Sequence, residues 1–454
     1  MKLNKNNLYL AITFFSILLI FMDSYSFFSI PVSWIGLSLL ILPSVTNFED
    51  KMFKQYFYYL VVFLFSLNLN SFIRIIYSKF DYSFELYSIL RYFNFISFFL
   101  VYFFVVKFFN NKNYSKFFQF MKLFIYTYSL IIIYIYFAQI FDLYEPLRNR
   151  ANTNLLGNSS QSTFWLSEPH RAMGTFREPI FLVAFYYPMV LLYFINTKEN
   201  NYVLAIVSGV SLGLTRSNYL KLFVLIFIIF LIFNFLKNNY LNVPIFVLFS
   251  FIFIFSSIGI LECNINQSSN ECRQYPETVE KINSSGDLRI VSGTGNNETF
   301  LDRDRSNVLV FFLGNINNLE PVGIQNVTLK YQEHFVSEIS QEMYFINRTL
   351  PKYLLTRYSS QNFRTGYYSL LDSKPNVQNL FVFYTIGFGY IFILFLFLYF
   401  LNLFFTNKLD FNLFFYMYIL SFVLMSPIEE VNAYYGLLIG FTKILLSKKE
   451  NENI

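Results

Sequence analysis

Two short stretches concentrate the groups that can do chemistry. The first is Glu168-Pro-His-Arg-Ala-Met-Gly-Thr-Phe-Arg-Glu-Pro179, with two Arg, two Glu and a His within eleven residues. The second is Leu214-Thr-Arg-Ser-Asn218. Guanidinium is a planar fork that grips phosphate bidentately and stays charged at any working pH. Arg171, Arg177 and Arg216 are therefore candidates to hold an anionic, phosphorylated ligand, with Arg305 and Arg91 as further candidates. The chain also holds groups that can take a proton from a bound ligand. Glu178, His334, Asp372 and the pair Glu429-Glu430 qualify by type. No metal or cofactor is expected. Asp302-x-Asp304 is flanked by Arg303 and Arg305 and reads as loop charge, and the long polar stretch holds no CxxC, HExxH, GxSxG or P-loop.

The elements that must position these groups are apolar. The chain has 454 residues, 55% hydrophobic, 22% aromatic and only 14% charged, with a mean hydropathy of +0.44. Soluble domains carry about 25% charged residues, so this chain does not clothe a soluble globule. Disorder and nucleic-acid binding need more charge and fewer aromatics, and are excluded. The 62 Phe and 36 Tyr read as compositional bias, and no aromatic cofactor box is inferred. An all-α, polytopic transmembrane bundle of about twelve spans is expected, since a spanning helix needs ~20 mostly apolar residues. The spans are Leu8–Phe21, Phe27–Leu42, Tyr56–Ile76, Tyr87–Phe109, Phe117–Phe141, Ile180–Ile195, Tyr202–Leu214, Tyr219–Leu236, Val243–Leu261, Gln378–Phe404, Phe411–Met425 and Asn432–Leu446. They divide the chain into a bundle over 1–261, a polar extracytoplasmic loop over 262–377 and a second bundle part over 378–454. The loop is expected to be partly helical, at Ser306–Leu313 and Tyr331–Leu355.

Basic residues orient the bundle. With both termini cytoplasmic, the inner loops and span ends hold 14 Lys, against two Lys and seven Arg on the outer side outside the long loop. All 14 Arg then fall on the outer side. Lys anchors the cytoplasmic face, and Arg is kept for an outward-facing site for an anionic, lipid-linked ligand. Cys263 and Cys272 open the long loop, and an oxidising outer compartment would allow them to pair.

Arg171-x-x-Gly-Thr-Phe-x-x-Pro179 resembles the R-x-x-G-T-F-x-x-P motif of the O-antigen polymerase/ligase superfamily of bacterial membrane glycosyltransferases. Thr215-Arg216-Ser217 resembles that family's S/T-R-S/G element at a span end. Arg305, followed by Phe312 and Pro321-Val-Gly323, is more loosely similar to the stretch leading to P-x-x-G. Asn379 to Gly389 is similar to the H-N-x-x-L…G entry of a late span. The chain departs at Ile180, where the family usually has Asn, and at Gln378, where it has His.

The resemblance implies a GT-C-type fold in the inner membrane. It also implies inverting, metal-independent transfer from a polyprenyl-diphosphate-linked oligosaccharide to a glycan acceptor. Gly174, Thr175, Gln378 and Asn379 fall at motif positions and become substrate-binding candidates alongside Arg305 and Arg91. In ligase-like members a loop His serves as base, a role that His334 would take here. The partners implied are membrane lipids, donor and acceptor, with room for a chain-length regulator. Gln378 favours a polymerase that joins lipid-linked repeat units over a ligase that moves finished glycan to a lipid core or protein. A flippase or transporter is a third reading. The one-sided Arg and the lopsided placing of the long loop count against it.

Overall fold

The computed structural model describes residues 5–27, 30–46, most of 51–65, 86–109, 111–141, 143, 153–154, 157–158, 171–176, 178–197, 200–238, 243–265, 308, 311–316, 321–324, 327, 330, 377, 379–407, 410–426, 428 and 431–452. The fold is mostly helical. In chain order the helices are α1 (Lys5–Ile20), α2 (Val32–Thr46), α3 (Leu86–Phe108), α4 (Asn111–Phe141), α5 (Pro179–Asn196), α6 (Tyr202–Gly213) and α7 (Asn218–Asn238). They continue with α8 (Val243–Ile265), α9 (Leu380–Phe388), α10 (Tyr390–Thr406), α11 (Phe411–Leu424) and α12 (Ala433–Glu452). Two-residue strands form two small antiparallel hairpins, Ser26–Phe27 with Ile30–Pro31 and Thr153–Asn154 with Gly157–Asn158. Among the described residues three helices are long and apolar enough to cross a membrane, at Arg91–Phe108, Lys112–Ala138 and Pro179–Asn196. Eight more apolar helices are shorter.

Local chemistry sets several boundaries. Pro179 starts α5, where its missing N–H costs nothing. Asn379 caps α9 by accepting the Val382 N–H at 3.0 Å, and Asp410 caps α11 by accepting the Leu413 N–H at 3.0 Å. The structure corrects the sequence reading at two places. The hairpin at Ser26–Pro31 takes the start of the expected second span, so α2 begins only at Val32. The expected tenth span is two helices. Gly389, at φ 70° and ψ −156°, ends α9 and opens α10, because only glycine takes that backbone shape without strain. The expected third span is helical where described in 51–65, and its remainder lies outside the described residues, as does most of 262–377. Of the long loop, Pro321–Ile324 docks on α9, with the Gly323 N–H donating to Gly387 O at 2.9 Å and Ile324 buried.

Small residues let the helices meet. The chain has only 16 glycines, yet two Gly-x-x-x-Gly pairs stand at helix contacts. A Cβ on Gly209 of α6 would lie 2.7 Å from Leu248 O of α8, and one on Gly213 would lie 2.9 Å from Ile252 O. Gly436 of α12 faces Phe98 O of α3, and Gly440 faces Val105. Gly36 of α2 meets Ser16 O of α1 in the same way. Backbones approach this closely where dispersion and shape, more than water exclusion, hold helices together. The opposite extreme is α10, where Leu403 is the only buried residue and Phe397, Leu398 and Phe405 are exposed. Apolar surface on that scale needs an apolar surround.

The α3–α12 contact gives the first prediction. Gly436→Val forces a side chain into the Phe98 carbonyl, and overpacking costs about 1–3 kcal/mol or more. The variant is expected to lower the thermal unfolding midpoint in detergent by several degrees, while Gly314→Ala, at an exposed position, leaves it unchanged. Equal midpoints for Gly436→Val and the wild type would contradict the close contact.

Candidate functional site

The first Arg-bearing stretch is an irregular loop leading into α5, and its interior is fixed by protein. Thr175 is buried. Its Oγ1 donates to Phe21 O and shares a hydrogen bond with the Tyr128 hydroxyl, at 2.7 Å from it. Its carbonyl accepts the Ser24 N–H at 2.9 Å. Gly174 has φ 54°, a left-handed shape that favours glycine. Tyr128 and Ile132 of α4 close the space where a side chain would stand. The Phe176 ring stacks on Phe185 of α5 with centroids 5.5 Å apart and meets Phe21 edge-on at 5.6 Å. These contacts pin the Thr-Phe half of the loop between α1, α4 and α5. Arg171, at the other end, is half-buried.

The second stretch is the turn from α6 to α7. Thr215 N–H donates to Leu212 O and Arg216 N–H to Gly213 O, which closes α6 tightly. Ser217 then caps α7, its hydroxyl accepting the Leu220 N–H at 3.4 Å. Between them Arg216 sits at φ 50°, the only positive φ on a non-glycine residue among those described. A long side chain is uncommon there and costs of order 1 kcal/mol. Such strain persists where the surroundings over-determine it, which is a pattern of functional sites.

The two stretches dock on each other. Ala172 N–H donates to Leu214 O at 2.8 Å, and Arg171 Nε–H donates to Thr215 O at 3.1 Å. Arg216 is also half-buried, and its Nη2 donates to the Tyr136 hydroxyl of α4 at 3.4 Å. Lys221, one turn into α7, lies close enough to Arg171 and Arg216 to feel the charge of both. Thus two guanidiniums from segments 45 residues apart in sequence share one place with a lysine ammonium. Positive charge so arranged attracts anions and stabilises negative charge that develops on a bound group.

The remaining sequence candidates are placed as follows. Arg91 is buried on α3, donates to Ile324 O at 3.2 Å and lies over the Phe383 ring at 5.1 Å. It ties the Pro321–Ile324 segment to α9. Glu178 is half-buried in extended backbone just before α5, and its side chain does not cap that helix. Asn379 Oδ1 is engaged in the α9 cap. Arg177, His334, Arg305 and Gln378 lie outside the described residues, as do Asp372, Glu429 and Glu430. Cys263 falls in the last turn of α8, beyond the expected span end, and Cys272 lies outside the described residues, so their pairing does too. Among the described residues no three His, Cys, Asp or Glu side chains gather. Lys221 and Tyr136 were not among the sequence candidates. Lys221 stood five residues after Arg216 at the start of an apolar run, which is a usable signal, whereas one tyrosine among 36 carries none.

Comparison with protein-family models, with curated proteins and with solved structures gives no match.

Strain at Arg216 gives the second prediction. Arg216→Gly removes the φ penalty and one cation from a like-charged cluster. The variant is expected to unfold at a temperature equal to or above the wild type, by up to about 1 kcal/mol of stability, while losing function. A clear drop in the unfolding midpoint would mean that the guanidinium serves the fold.

Proposed function

We propose that the protein is a bacterial inner-membrane glycosyltransferase. In this reading it joins polyprenyl-diphosphate-linked oligosaccharide repeat units at the outer face, as a surface-polysaccharide (O-antigen) polymerase. The observation that carries this reading is the docking of Arg171 on Thr215, which puts Arg171 and Arg216 in one half-buried cluster with Lys221. These are the two motifs on which the resemblance to the O-antigen polymerase/ligase superfamily rests. Three apolar helices of membrane-spanning length, eight shorter apolar ones and the exposed apolar length of α10 support a lipid surround; a bundle of about twelve spans with both termini in the cytoplasm is part of the proposal.

The chemistry asked of the site is simple. The acceptor hydroxyl attacks the anomeric carbon from the face opposite the diphosphate, so the configuration inverts. The carbon–oxygen bond to the diphosphate breaks, and its electron pair stays on the departing phosphate oxygen. The hydroxyl proton passes to a base, for which Glu178 and His334 are the candidates. Arg171 and Arg216 stabilise the charge that builds on the diphosphate, with Arg177 as a third Arg from the same loop. A diphosphate is already a good leaving group, so fixed positive charge is the main help it needs. Gly174 and Thr175 act as the frame that holds Arg171 in place, since the Thr175 hydroxyl is engaged by Phe21 O and the Tyr128 hydroxyl and Gly174 is closed in by Ile132 and Tyr128. Arg91 serves the same framing purpose for the long loop.

The glycan profile of a strain lacking this protein tests the reading, with complementation by wild type, Arg171→Ala and Arg216→Ala. A polymerase loss leaves single repeat units on the final acceptor. Each Arg variant is expected to restore less than about 1% of polymer, in line with the ~10²–10³ cost of losing one preorganised donor. Polymer that accumulates on the polyprenyl carrier would instead indicate a ligase. An unchanged profile, or full rescue by Arg216→Ala, would end the proposal.

A further inference from the structure

Lys221 occupies a position that electrostatics disfavours on three counts. It is half-buried, so its ammonium has lost part of its hydration. It lies near the guanidiniums of Arg171 and Arg216, both of the same sign. It also stands in the first turn of α7, which has no acidic residue, and the amides of a helix N-terminus repel cations and attract anions. Among the described residues the ammonium has no hydrogen bond or ion pair, while the Lys221 backbone N–H donates to Ser217 O at 3.1 Å.

The neighbours cannot swing away from the lysine to relieve the repulsion. Arg171 is tethered through its Nε to Thr215 O, and Arg216 through its strained backbone and the Tyr136 hydroxyl. A half-buried cation near two like charges, with no hydrogen bond or ion pair of its own among the described residues, stands there at a cost to the fold. A multiply charged anion would remove that cost by binding among all three.

We infer that Lys221 is a specificity-determining residue of this site, which selects a diphosphate over a monophosphate. The inference rests on the diphosphate reading of Arg171 and Arg216 and adds a role to it. Two guanidiniums, each a two-pronged fork, suffice to hold one phosphate group. The compact ammonium of Lys221, presented from the neighbouring helix, meets the second. The site then distinguishes a polyprenyl diphosphate from a polyprenyl monophosphate by charge. It also holds the diphosphate product as the glycosidic bond breaks.

The test is binding by titration calorimetry on the full-length protein in lipid nanodiscs. The probes are farnesyl diphosphate, farnesyl monophosphate and inorganic pyrophosphate. Wild type is expected to bind farnesyl diphosphate at least about tenfold more tightly than the monophosphate, a difference of about 1.4 kcal/mol. Lys221→Met is expected to remove most of that preference by weakening the diphosphate alone, and Lys221→Arg to keep it. The unliganded Lys221→Met protein should also unfold at a higher temperature than wild type, because the repulsion is gone, and should gain less from added diphosphate. A merely structural lysine would give the opposite shift. Binding of inorganic pyrophosphate as tight as that of the farnesyl compound would assign the site to a free phosphate compound, with the role of Lys221 intact. If Lys221→Met keeps the full preference, the role of Lys221 fails and the diphosphate reading stands. If wild type binds no diphosphate at all, both fail.

Discussion

Irregular backbone at the end of an apolar helix must find partners for its own N–H and C=O groups, because neither lipid nor packed hydrocarbon supplies them. The Arg171–Phe176 loop meets this constraint by borrowing acceptors and donors from three places. Leu214 O takes the Ala172 N–H, Ser24 N–H reaches the Thr175 carbonyl, and Phe21 O takes the Thr175 hydroxyl. With the Tyr128 hydroxyl of α4 on Thr175 Oγ1, the α1–α2 turn, α4 and the α6–α7 turn are locked to one strip of chain. The position of Arg171 follows from these bonds, as does its tether to Thr215.

The same economy appears at the other irregular point. Gly389 breaks the apolar run of α9 and α10, and the ends of α9 are answered by Asn379 at its start and by the Pro321–Ile324 segment alongside. Arg91 completes that arrangement by donating to Ile324 O while its guanidinium lies on Phe383. A buried arginine that bridges a loop carbonyl and an aromatic face is a structural clamp. The contrast is with Arg171 and Arg216, which are half-buried and lie near a third cation, Lys221.

Several of the apolar runs were legible in the sequence to within a few residues. The expected Ile180–Ile195 is α5 at Pro179–Asn196, and Tyr202–Leu214 is α6 at Tyr202–Gly213. Length and hydrophobicity decide such elements locally. The break at Gly389 was not legible, because a Gly within an unbroken apolar run is also compatible with a continuous helix. The Gly-x-x-x-Gly pairs at 209–213 and 436–440 were present to be read, but which helix each pair would face is tertiary information. The site divides in the same way. Residue types named Arg171 and Arg216, while their meeting depends on backbone bonds between segments with two helices between them. The inward turn of Thr175 was hidden for a further reason: a hydroxyl in a motif reads equally as ligand contact or as anchor, and only the Phe21 and Tyr128 partners decide it.

Three cations that repel each other would normally splay apart on flexible side chains. Here the two guanidiniums and the backbone of Lys221 are held by something other than charge. Arg171 is held by a carbonyl, Arg216 by the turn it is built into, and Lys221 by the first turn of α7 that Ser217 starts. The backbone therefore bears the repulsion, and under the proposed function an anion would meet a field already in place. Preorganised charge of this kind spares the rearrangement that water or free side chains would have to make as a bond breaks. The surrounding frame is close-packed, with stacked Phe176 and Phe185 and a buried Thr175 beneath the loop. A softer frame would relax the cations apart and weaken the very potential that the cluster sets up.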